Sequence, residues 1–325
     1  MMDVYTWILD EFSTIPHVKE WPEVQDLFRR VTSGKPRHWL LPLRACEAVG
    51  GTARQAVPAL TAVACSHIGI VLVDDMLDAD PRGEHLRAGA PAVANMASAL
   101  QSAALAVIAR REMDSEAKLA ALESLNEMFL STTLGQYWDV QPVADEEGYW
   151  RIVRTKSSPF FGAALQLGAL MGGAPLSLAA QIKNLGSIYG EMIQIHDDLN
   201  DTMEAPANPD WSEGRSPLPI LFARLVDHPL RARFEELCPH AGSNPRILEE
   251  AQEILIQCGA VSYCIHQLLG RYKTVTGILS AMSLARREAL TSLFEDVVRP
   301  ACKLFQAVGA APADLSIAEM MAGWE

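Results

Sequence analysis

Two stretches of the chain, residues 55–73 and 157–182, contain no Asp, Glu, Lys or Arg. Each is long enough to cross a membrane as a helix. The first stretch contains Pro58, Ser66 and His67 and leads directly into two aspartates, while the second is interrupted by glycines and a proline. We therefore expect both to be buried core helices in a protein without a transmembrane segment.

Most other segments show the spacing of apolar residues that is typical of helices, with little strand-like alternation. Paired glycines at 50–51 and 172–173 and the segment 240–245 indicate turns between helices. No Gly/Ser-rich linker or change of composition divides the chain. The sequence predicts a single all-α domain over residues 1–325, with about a dozen helices and one long loop at 204–219.

The chain has a formal net charge of −13 at pH 7, which argues against nucleic acid or an anionic membrane surface as its main partner. An anionic substrate would then have to bind through metal ions or a local basic patch. The six cysteines are scattered without a CxxC pair, which is typical of reduced thiols. The N-terminal residues carry early acids and no basic segment, so we expect a cytoplasmic protein without a signal peptide.

Two acidic motifs, DDMLD at 74–78 and DDLND at 197–201, each end an apolar helical run. In a helix, residues i and i+4 share a face, so each motif projects its first and last carboxylates together. One such motif would equally suit a solvated helix end, but two are hard to explain in that way. If the two helices face each other, the carboxylates meet in one cavity, and oxygen ligands at this density suit Mg²⁺ bridging to substrate phosphates. The metal ligands predicted in this way are Asp74, Asp75, Asp78, Asp197, Asp198 and Asp201.

Several polar residues between and within the motifs are further candidates. Lys156 and the hydroxyl of Ser157 offer a charge and a donor for phosphate oxygens, although a solvated lysine at a helix turn explains the pair equally well. Gln136 and Asp139 share one helix face, as a polar pair in a cavity wall would. Gln194 precedes the second motif by three residues and would meet a transient positive charge there, unless it is an ordinary buried glutamine with a backbone partner.

Further segments occur in a fixed order around the two motifs. They are GKPRHWLLPLRACEAVGG at 34–51, GQYWD at 135–139, TKSS at 155–158, IQIHDDLND at 193–201 and DWSEGRSPLP at 210–219. With His67 seven residues before the first motif, this pattern resembles the trans-isoprenyl diphosphate synthases, or polyprenyl synthetases, over roughly residues 30–300. The resemblance implies an isoprenoid synthase-type helical bundle around a central cavity.

The resemblance also implies an activity. Three Mg²⁺ ions held by both motifs would bind an allylic diphosphate and weaken its C–O bond, and the allylic cation would be attacked by the double bond of isopentenyl diphosphate. The product would be a linear polyprenyl diphosphate and the enzyme a homodimer. The implied catalytic residues are the six aspartates, Lys156 and Gln194. The implied substrate-binding residues are Lys35, Arg37, His38, His67, Arg82, Ser157 and Arg215.

The sequence departs from the family pattern where the second substrate would bind. The segment DDMLDADPRG is one residue shorter than the pattern and has Pro81 where a first arginine is usual, while Pro36 and His38 stand at two basic positions. Each lost charge-assisted phosphate contact is worth about 1.5–3 kcal/mol when well formed. Either another basic group substitutes, or the second substrate binds weakly or differently. The candidate substitutes are Arg37, Arg82, Arg87 and a protonated His38.

Two other functions remain open from the sequence alone. One is a terpene cyclase or another enzyme that ionises a diphosphate on the same fold, and the other is a non-catalytic subunit of a heteromeric synthase. Retention of DDLND favours chain elongation over cyclisation, and two complete aspartate motifs disfavour the subunit. Small or moderate residues upstream of the first motif (Ser66, Gly69 and Ile70) favour a product of twenty carbons or more, unless Phe160 and Phe161 form the pocket floor.

Overall fold

The computed structural model describes residues 3–139, 143–213 and 215–307. Regular structure in these ranges consists entirely of helices, as predicted, and there are more of them than the predicted dozen. They are α1 (Val4–Phe12), α2 (Pro22–Ser33), α3 (Leu41–Ala48), α4 (Ala53–Leu77), α5 (Glu84–Ala88), α6 (Ala90–Ala109), α7 (Ser115–Asp139), α8 (Glu146–Lys156), α9 (Ser158–Met171), α10 (Leu176–Met203), α11 (Pro209–Glu213), α12 (Leu218–Leu225), α13 (Arg231–Ala241), α14 (Pro245–Gln257), α15 (Ala260–Ala281) and α16 (Glu288–Ala307), with short 3₁₀ helices at Val18–Glu20 and Arg37–Leu40.

The predicted turns fall where expected, but the predicted loop does not stay a loop. Residues 50–51 join α3 to α4, 172–173 follow α9, and 240–245 contain the junction of α13 and α14. Helix α11 and the start of α12 lie within 204–219. The long-loop prediction was therefore wrong, because Pro209 and Leu218 begin helices that the polar composition of this segment concealed.

The described residues divide into two compact units. The first unit comprises residues 3–133, 159–187 and 283–290, and the second comprises 134–158, 188–282 and 291–307, less the undescribed positions. The single domain expected over residues 1–325 stays a prediction.

Helix α4 is the central element of the first unit and packs against α1, α3 and α6. It begins with a capping box, in which Thr52 accepts a hydrogen bond from the Gln55 amide and the Gln55 side chain accepts one from the Thr52 amide. Two thirds of its residues before the first aspartate motif are buried. Burial of the uncharged stretch 55–73 within this helix fixes the aspartates at its carboxyl end.

In the second unit, charged side chains connect α8, α10 and α15. The Glu191 carboxylate on α10 accepts hydrogen bonds from Arg154 of α8 (3.0 Å) and from Arg271 of α15 (2.7 Å). The Arg271 guanidinium also lies 4.0 Å from the ring centroid of Trp150 on α8. These contacts hold the carboxyl end of α8 beside the helix that carries the second aspartate motif.

Two helices, α4 and α6, are long and apolar enough to span a membrane by length and composition. Most of the apolar stretch of α4 is buried inside the protein, which is typical of a core helix, while less than half of that of α6 is buried. All six cysteines are free thiols.

Candidate active site

The first aspartate motif lies at the carboxyl end of α4. Asp74 and Asp75 belong to the last helical turn, and Asp78 follows the helix with right-handed helical dihedral angles. The Asp78 amide donates to the Asp74 carbonyl over 2.9 Å, so helical spacing continues to Asp78 and both carboxylates lie on one face. Carboxylates at a helix carboxyl end oppose the helix dipole, which favours a cation at this position.

The shortened segment after the motif folds into a turn that binds its own arginine. Ala79 adopts the left-handed conformation (φ 50°), and the Asp80 amide donates to the Asp75 carbonyl over 3.0 Å, which closes α4. The Asp80 carboxylate then accepts bonds from the Arg82 amide (2.7 Å) and guanidinium (3.1 and 2.9 Å). Hydrogen bonds from Arg82 lower the pKa of Asp80 to about 2. Arg82, predicted to bind substrate, is thus oriented by a neighbouring carboxylate.

His67 lies two helical turns before Asp74 on the same face of α4. Its ring centroid is 6.5 Å from that of His38, 6.4 Å from that of Trp39 and 5.7 Å from that of Phe160. Burial, with a smaller contribution from His38, lowers the pKa of His67 to about 4, so the imidazole is neutral at pH 7. Its Nδ1 has no hydrogen-bond partner among the described residues. The arrangement brings together the two histidines that the sequence proposed for the second substrate.

The basic residues of the first unit differ in how they are held. Lys35 adopts a left-handed conformation (φ 48°), and its Nζ lies 2.6 Å from the Asp3 carboxylate. Arg37 is exposed at the start of the 3₁₀ helix Arg37–Leu40. Arg87 is paired with Glu84, whose carboxylate also accepts from Arg30. Arg87 therefore belongs to a surface cluster of ion pairs, Lys35 has its own carboxylate partner, and Arg37 is exposed.

The second aspartate motif lies in the last two turns of α10. Asp197 is exposed, and Asp201 is half-buried. Burial, followed by repulsion from Asp197 and Asp210, raises the pKa of Asp201 to about 6. Asp210, on α11, is a carboxylate that the sequence analysis did not select, although it begins the DWSEGRSPLP segment. The crowding of three carboxylates is unfavourable without a cation.

Asp198 differs from the other aspartates of the motif because it is buried. Its Oδ2 accepts from the Tyr149 hydroxyl (2.6 Å) and the Leu218 amide (2.7 Å), and its Oδ1 accepts from the Gln194 side-chain amide (2.8 Å). The Ser157 hydroxyl donates to the Gln194 Oε1 over 2.8 Å. Burial raises the pKa of Asp198 to about 6, although its three hydrogen bonds lower it. Tyr149 was missed because no motif marks it.

Lys156 is positioned by a carboxylate and by a close helix contact. Its Nζ lies 2.5 Å from the Asp139 Oδ2 at the end of α7. One turn earlier on α7, a Cβ atom added to Gly135 would lie 2.5 Å from the Lys156 Cα and 2.7 Å from the Thr155 carbonyl carbon. Gln136 is buried beside this contact. The GQYWD segment therefore fixes the place of the lysine, with Gly135 allowing the close approach and Asp139 orienting the ammonium group.

Arg215 begins the segment that leads into α12. Its amide donates to the Asp210 carbonyl over 3.2 Å, and its Nε lies 3.8 Å from the Asp210 carboxylate. This arginine, predicted to bind substrate, therefore lies beside the same Asp210 that raises the pKa of Asp201. One cation therefore lies beside the group of carboxylates at the end of α10.

The carboxylates fit Mg²⁺ that is bound together with an anionic substrate. Within the described ranges, no three Asp, Glu, His or Cys side chains converge closely enough to hold a metal ion by themselves. Mg²⁺ in phosphate-handling sites uses one or two carboxylates and completes its six ligands with water and phosphate oxygens. Both motifs lie at helix carboxyl ends, and the pKa values of Asp75 and Asp201 are raised by burial and by neighbouring carboxylates. A cation would relieve both effects.

Solved structures with the same architecture define the class of fold. The geranylgeranyl pyrophosphate synthetase of Pyrococcus horikoshii superposes with a TM-score of 0.80 at 20% identity, over 90% of this chain and 95% of that chain. The geranylgeranyl pyrophosphate synthetase of Geoglobus acetivorans gives 0.76 at 22% identity over the same shares. The fold is therefore the all-α isoprenoid synthase fold, as the sequence predicted.

Sequence comparison gives the family. Residues 23–255 match the Polyprenyl synthetase family, and the chain belongs to that family. A short chain isoprenyl diphosphate synthase of Methanothermobacter thermautotrophicus is 27% identical over 281 residues, which cover 82% of this chain and 86% of the relative. A geranylgeranyl diphosphate synthase of Methanosarcina mazei is 27% identical over 237 residues, which cover 67% and 71%. The resemblance inferred from the motifs is confirmed.

Proposed function

We propose that this protein is a Mg²⁺-dependent trans-prenyltransferase that condenses an allylic diphosphate with isopentenyl diphosphate to a linear polyprenyl diphosphate. One observation carries the proposal: both aspartate motifs are complete and lie at the carboxyl ends of long helices, where their charge is unfavourable without a cation. Membership of the polyprenyl synthetase family supports this reaction class. The cytoplasm, which supplies both soluble substrates, is the proposed location.

Five of the six aspartates of the two motifs are the proposed metal-binding groups. Mg²⁺ held there, three ions by analogy with the family, would supply Lewis-acid withdrawal of electrons from the diphosphate, which weakens the allylic C–O bond. The residues proposed to hold it are Asp74, Asp75, Asp78, Asp197 and Asp201. Asp210 lies near enough to Asp201 to raise its pKa and is proposed to support the same group.

Two cationic side chains of the second unit are proposed to stabilise the negative charge of the diphosphate as it leaves. Lys156 and Arg215 each lie beside a carboxylate, Asp139 and Asp210 respectively. These carboxylates orient the two cationic groups before substrate binds. The side chains therefore need to move little during the reaction. The charge on the leaving group grows in the transition state, and so does its attraction to both cations.

An allylic cation is stabilised by the negative, oxygen end of a neighbouring dipole and destabilised by N–H or O–H groups that point at it. Gln194 presents its Oε1 towards the Ser157 hydroxyl, and its amide nitrogen is occupied by Asp198. We propose that the negative end of this amide dipole stabilises the developing carbocation. No side-chain nucleophile is needed, because the electrons of the new bond come from the double bond of isopentenyl diphosphate, and the released proton leaves with the diphosphate.

The second diphosphate is proposed to bind in the first unit. Lys35 and Arg37 supply charge, and the neighbouring imidazoles of His38 and His67 supply hydrogen bonds. The ion pair of Lys35 with Asp3 is exposed and therefore weak enough to be exchanged for a phosphate. Arg82 would contribute after turning from Asp80. This set replaces the arginines that the family pattern has at Pro36 and Pro81.

The product length is proposed to be twenty carbons or more, a proposal that the similarity to a geranylgeranyl diphosphate synthase supports. The small side chain of Gly69 does not support it, because Gly69 does not face a cavity. A Cβ atom on Gly69 would meet the Ala97 carbonyl at 3.4 Å and the Leu100 Cβ at 3.7 Å, so this face of α4 packs on α6. Phe160 is buried beside His67. Chain length is therefore proposed to depend on how far α6 and the two phenylalanines let the product extend.

A homodimer is proposed from an apolar surface of the first unit. Helix α6 exposes a row of small side chains, including Ala94, Ser98 and Ser102, and α7 exposes Leu119 and Leu130. A row of small residues on one helix allows close packing against a helix of a second copy, and exposed leucines add apolar area to such an interface.

Incorporation of labelled isopentenyl diphosphate tests the proposed function. We expect Mg²⁺-dependent transfer of label into an extractable product when dimethylallyl, geranyl or farnesyl diphosphate is present, and none in EDTA. Hydrocarbon formed from the allylic substrate alone would instead identify a cyclase. Activity that appears only after a second protein is added would identify a subunit of a heteromeric synthase, a type of protein represented among the relatives by component 2 of a heptaprenyl diphosphate synthase of Geobacillus stearothermophilus.

A further inference from the structure

The carboxylate of Asp198 accepts its hydrogen bonds from the protein itself, which leaves little capacity to bind a metal or a substrate. Its side chain is buried, at 6% exposure, whereas the Asp197 side chain beside it is 55% exposed. Its two oxygens accept three hydrogen bonds from the protein, of 2.6, 2.7 and 2.8 Å. An ionised carboxylate has about four acceptor positions, so most of them are used within the protein. Little remains for a ligand.

The three donors to Asp198 belong to three different elements. Tyr149 lies on α8, two helical turns before Ser157. Gln194 lies one turn earlier on α10, and Leu218 is the first residue of α12, after the segment that starts at Arg215. Within the second unit, the carboxylate therefore connects the elements that carry Ser157, Gln194 and Arg215.

These contacts also determine which way the Gln194 amide points. A carboxylate only accepts hydrogen bonds, so the group of Gln194 that faces Asp198 must be its NH₂. The carbonyl oxygen then faces the opposite way, where it accepts from the Ser157 hydroxyl. The negative charge of Asp198 thus sets the direction of the amide dipole one turn away.

We propose that Asp198 is a positioning residue, which holds the Gln194 carbonyl towards the reacting carbon, and that it is not a metal ligand. The inference rests on the proposed prenyl transfer. It separates the second aspartate of the DDLND motif from the first and third, to which metal binding is assigned.

The variant D198N separates the two roles. Asparagine retains one acceptor oxygen for Tyr149 and Leu218, but presents an NH₂ group to Gln194. The Gln194 amide must then turn round, so that its carbonyl faces Asn at position 198 and its NH₂ faces Ser157 and the forming cation. We expect kcat to fall about 100-fold, with the half-saturating Mg²⁺ concentration unchanged within about twofold, because the proposed ligands Asp197 and Asp201 remain.

A reciprocal exchange should restore the geometry. In the double variant D198N/Q194E, the asparagine NH₂ donates to one oxygen of the new glutamate, and the Ser157 hydroxyl donates to the other. Total charge is conserved and an oxygen again faces Ser157. We expect kcat to recover to within about tenfold of wild type, whereas Q194E alone places two carboxylates together and remains impaired.

A control variant in the same unit, and the results that would contradict the proposal, complete the experiment. D296N removes an exposed aspartate, 72% exposed and paired only with Arg299 in the described contacts, and should leave kcat and the Mg²⁺ requirement unchanged. A rise of tenfold or more in the Mg²⁺ requirement of D198N would show that Asp198 is a ligand. A double variant that stays inactive or fails to fold would refute the reciprocal geometry. Wild-type protein that does not incorporate isopentenyl diphosphate would refute the proposed function instead.

Discussion

Replacement of Asp74 by asparagine is expected to lower turnover on the order of 10³-fold and at the same time to raise the thermal stability of the metal-free protein. Turnover falls because Asp74 is a proposed ligand of the cation that, in the proposed function, withdraws charge from the diphosphate. Stability rises because Asp74 is an anion in the last turn of α4 and also raises the pKa of Asp75. Removal of such a charge is worth about 0.3–1 kcal/mol. Steady-state kinetics and thermal melts in EDTA measure the two effects.

The matched control is D10N. Asp10 also lies in the last turn of a helix, α1, but it is exposed, whereas Asp74 is half-buried, and it lies in neither acidic motif. Its replacement should give a similar small gain in stability with unchanged turnover. Equal turnover in D74N and wild type would exclude the first motif from the chemistry, and a lower melting temperature of D74N would contradict the electrostatic account of the helix end.

Replacement of Gly135 by alanine is expected to destabilise the protein by about 3 kcal/mol and to lower kcat about 100-fold. The new methyl group would lie 2.5 Å from the Lys156 Cα, so α7 and α8 must separate. Lys156, a proposed catalytic group, then moves relative to Asp139, and a displacement of about 1 Å in such a group costs about 100-fold. Chemical denaturation and single-turnover kinetics measure the two effects.

Gly277 provides the comparison for this change. It lies in the interior of α15, and nothing lies within 4 Å of an added Cβ atom. G277A should therefore stabilise the helix by about 0.5–1 kcal/mol, because alanine loses less backbone entropy than glycine on folding. If G135A behaved like G277A in both measurements, the close contact between α7 and the Lys156 backbone would have no functional importance.

The periodicity and the spacing of aspartates were sufficient to predict the all-α class and the placement of each motif at a helix end. Both depend on local backbone geometry, which fixes i and i+4 on one face. Spacing also placed His67 on the same face as Asp74. The uncharged stretch 55–73 is a largely buried core helix, as predicted, because apolar side chains are most stable when they are removed from water.

Other features depended on contacts between distant segments and were not accessible from spacing. The DDLND motif does not show that its second aspartate is buried, because the donors Tyr149 and Leu218 lie 49 and 20 residues away. The Asp80 contact that holds Arg82 arises from a turn closed by a left-handed alanine, a conformation that this residue type does not predict. Asp210 was missed because α11 interrupts a segment read as a loop.

Mass spectrometry of products from a matrix of allylic substrates, with and without isopentenyl diphosphate, tests the central claim most directly. The account predicts diphosphates longer than the allylic substrate by whole isoprene units, formed only when Mg²⁺ and isopentenyl diphosphate are both present. Hydrocarbons or alcohols formed from the allylic substrate alone, with no lengthened diphosphate at any substrate ratio, would contradict it.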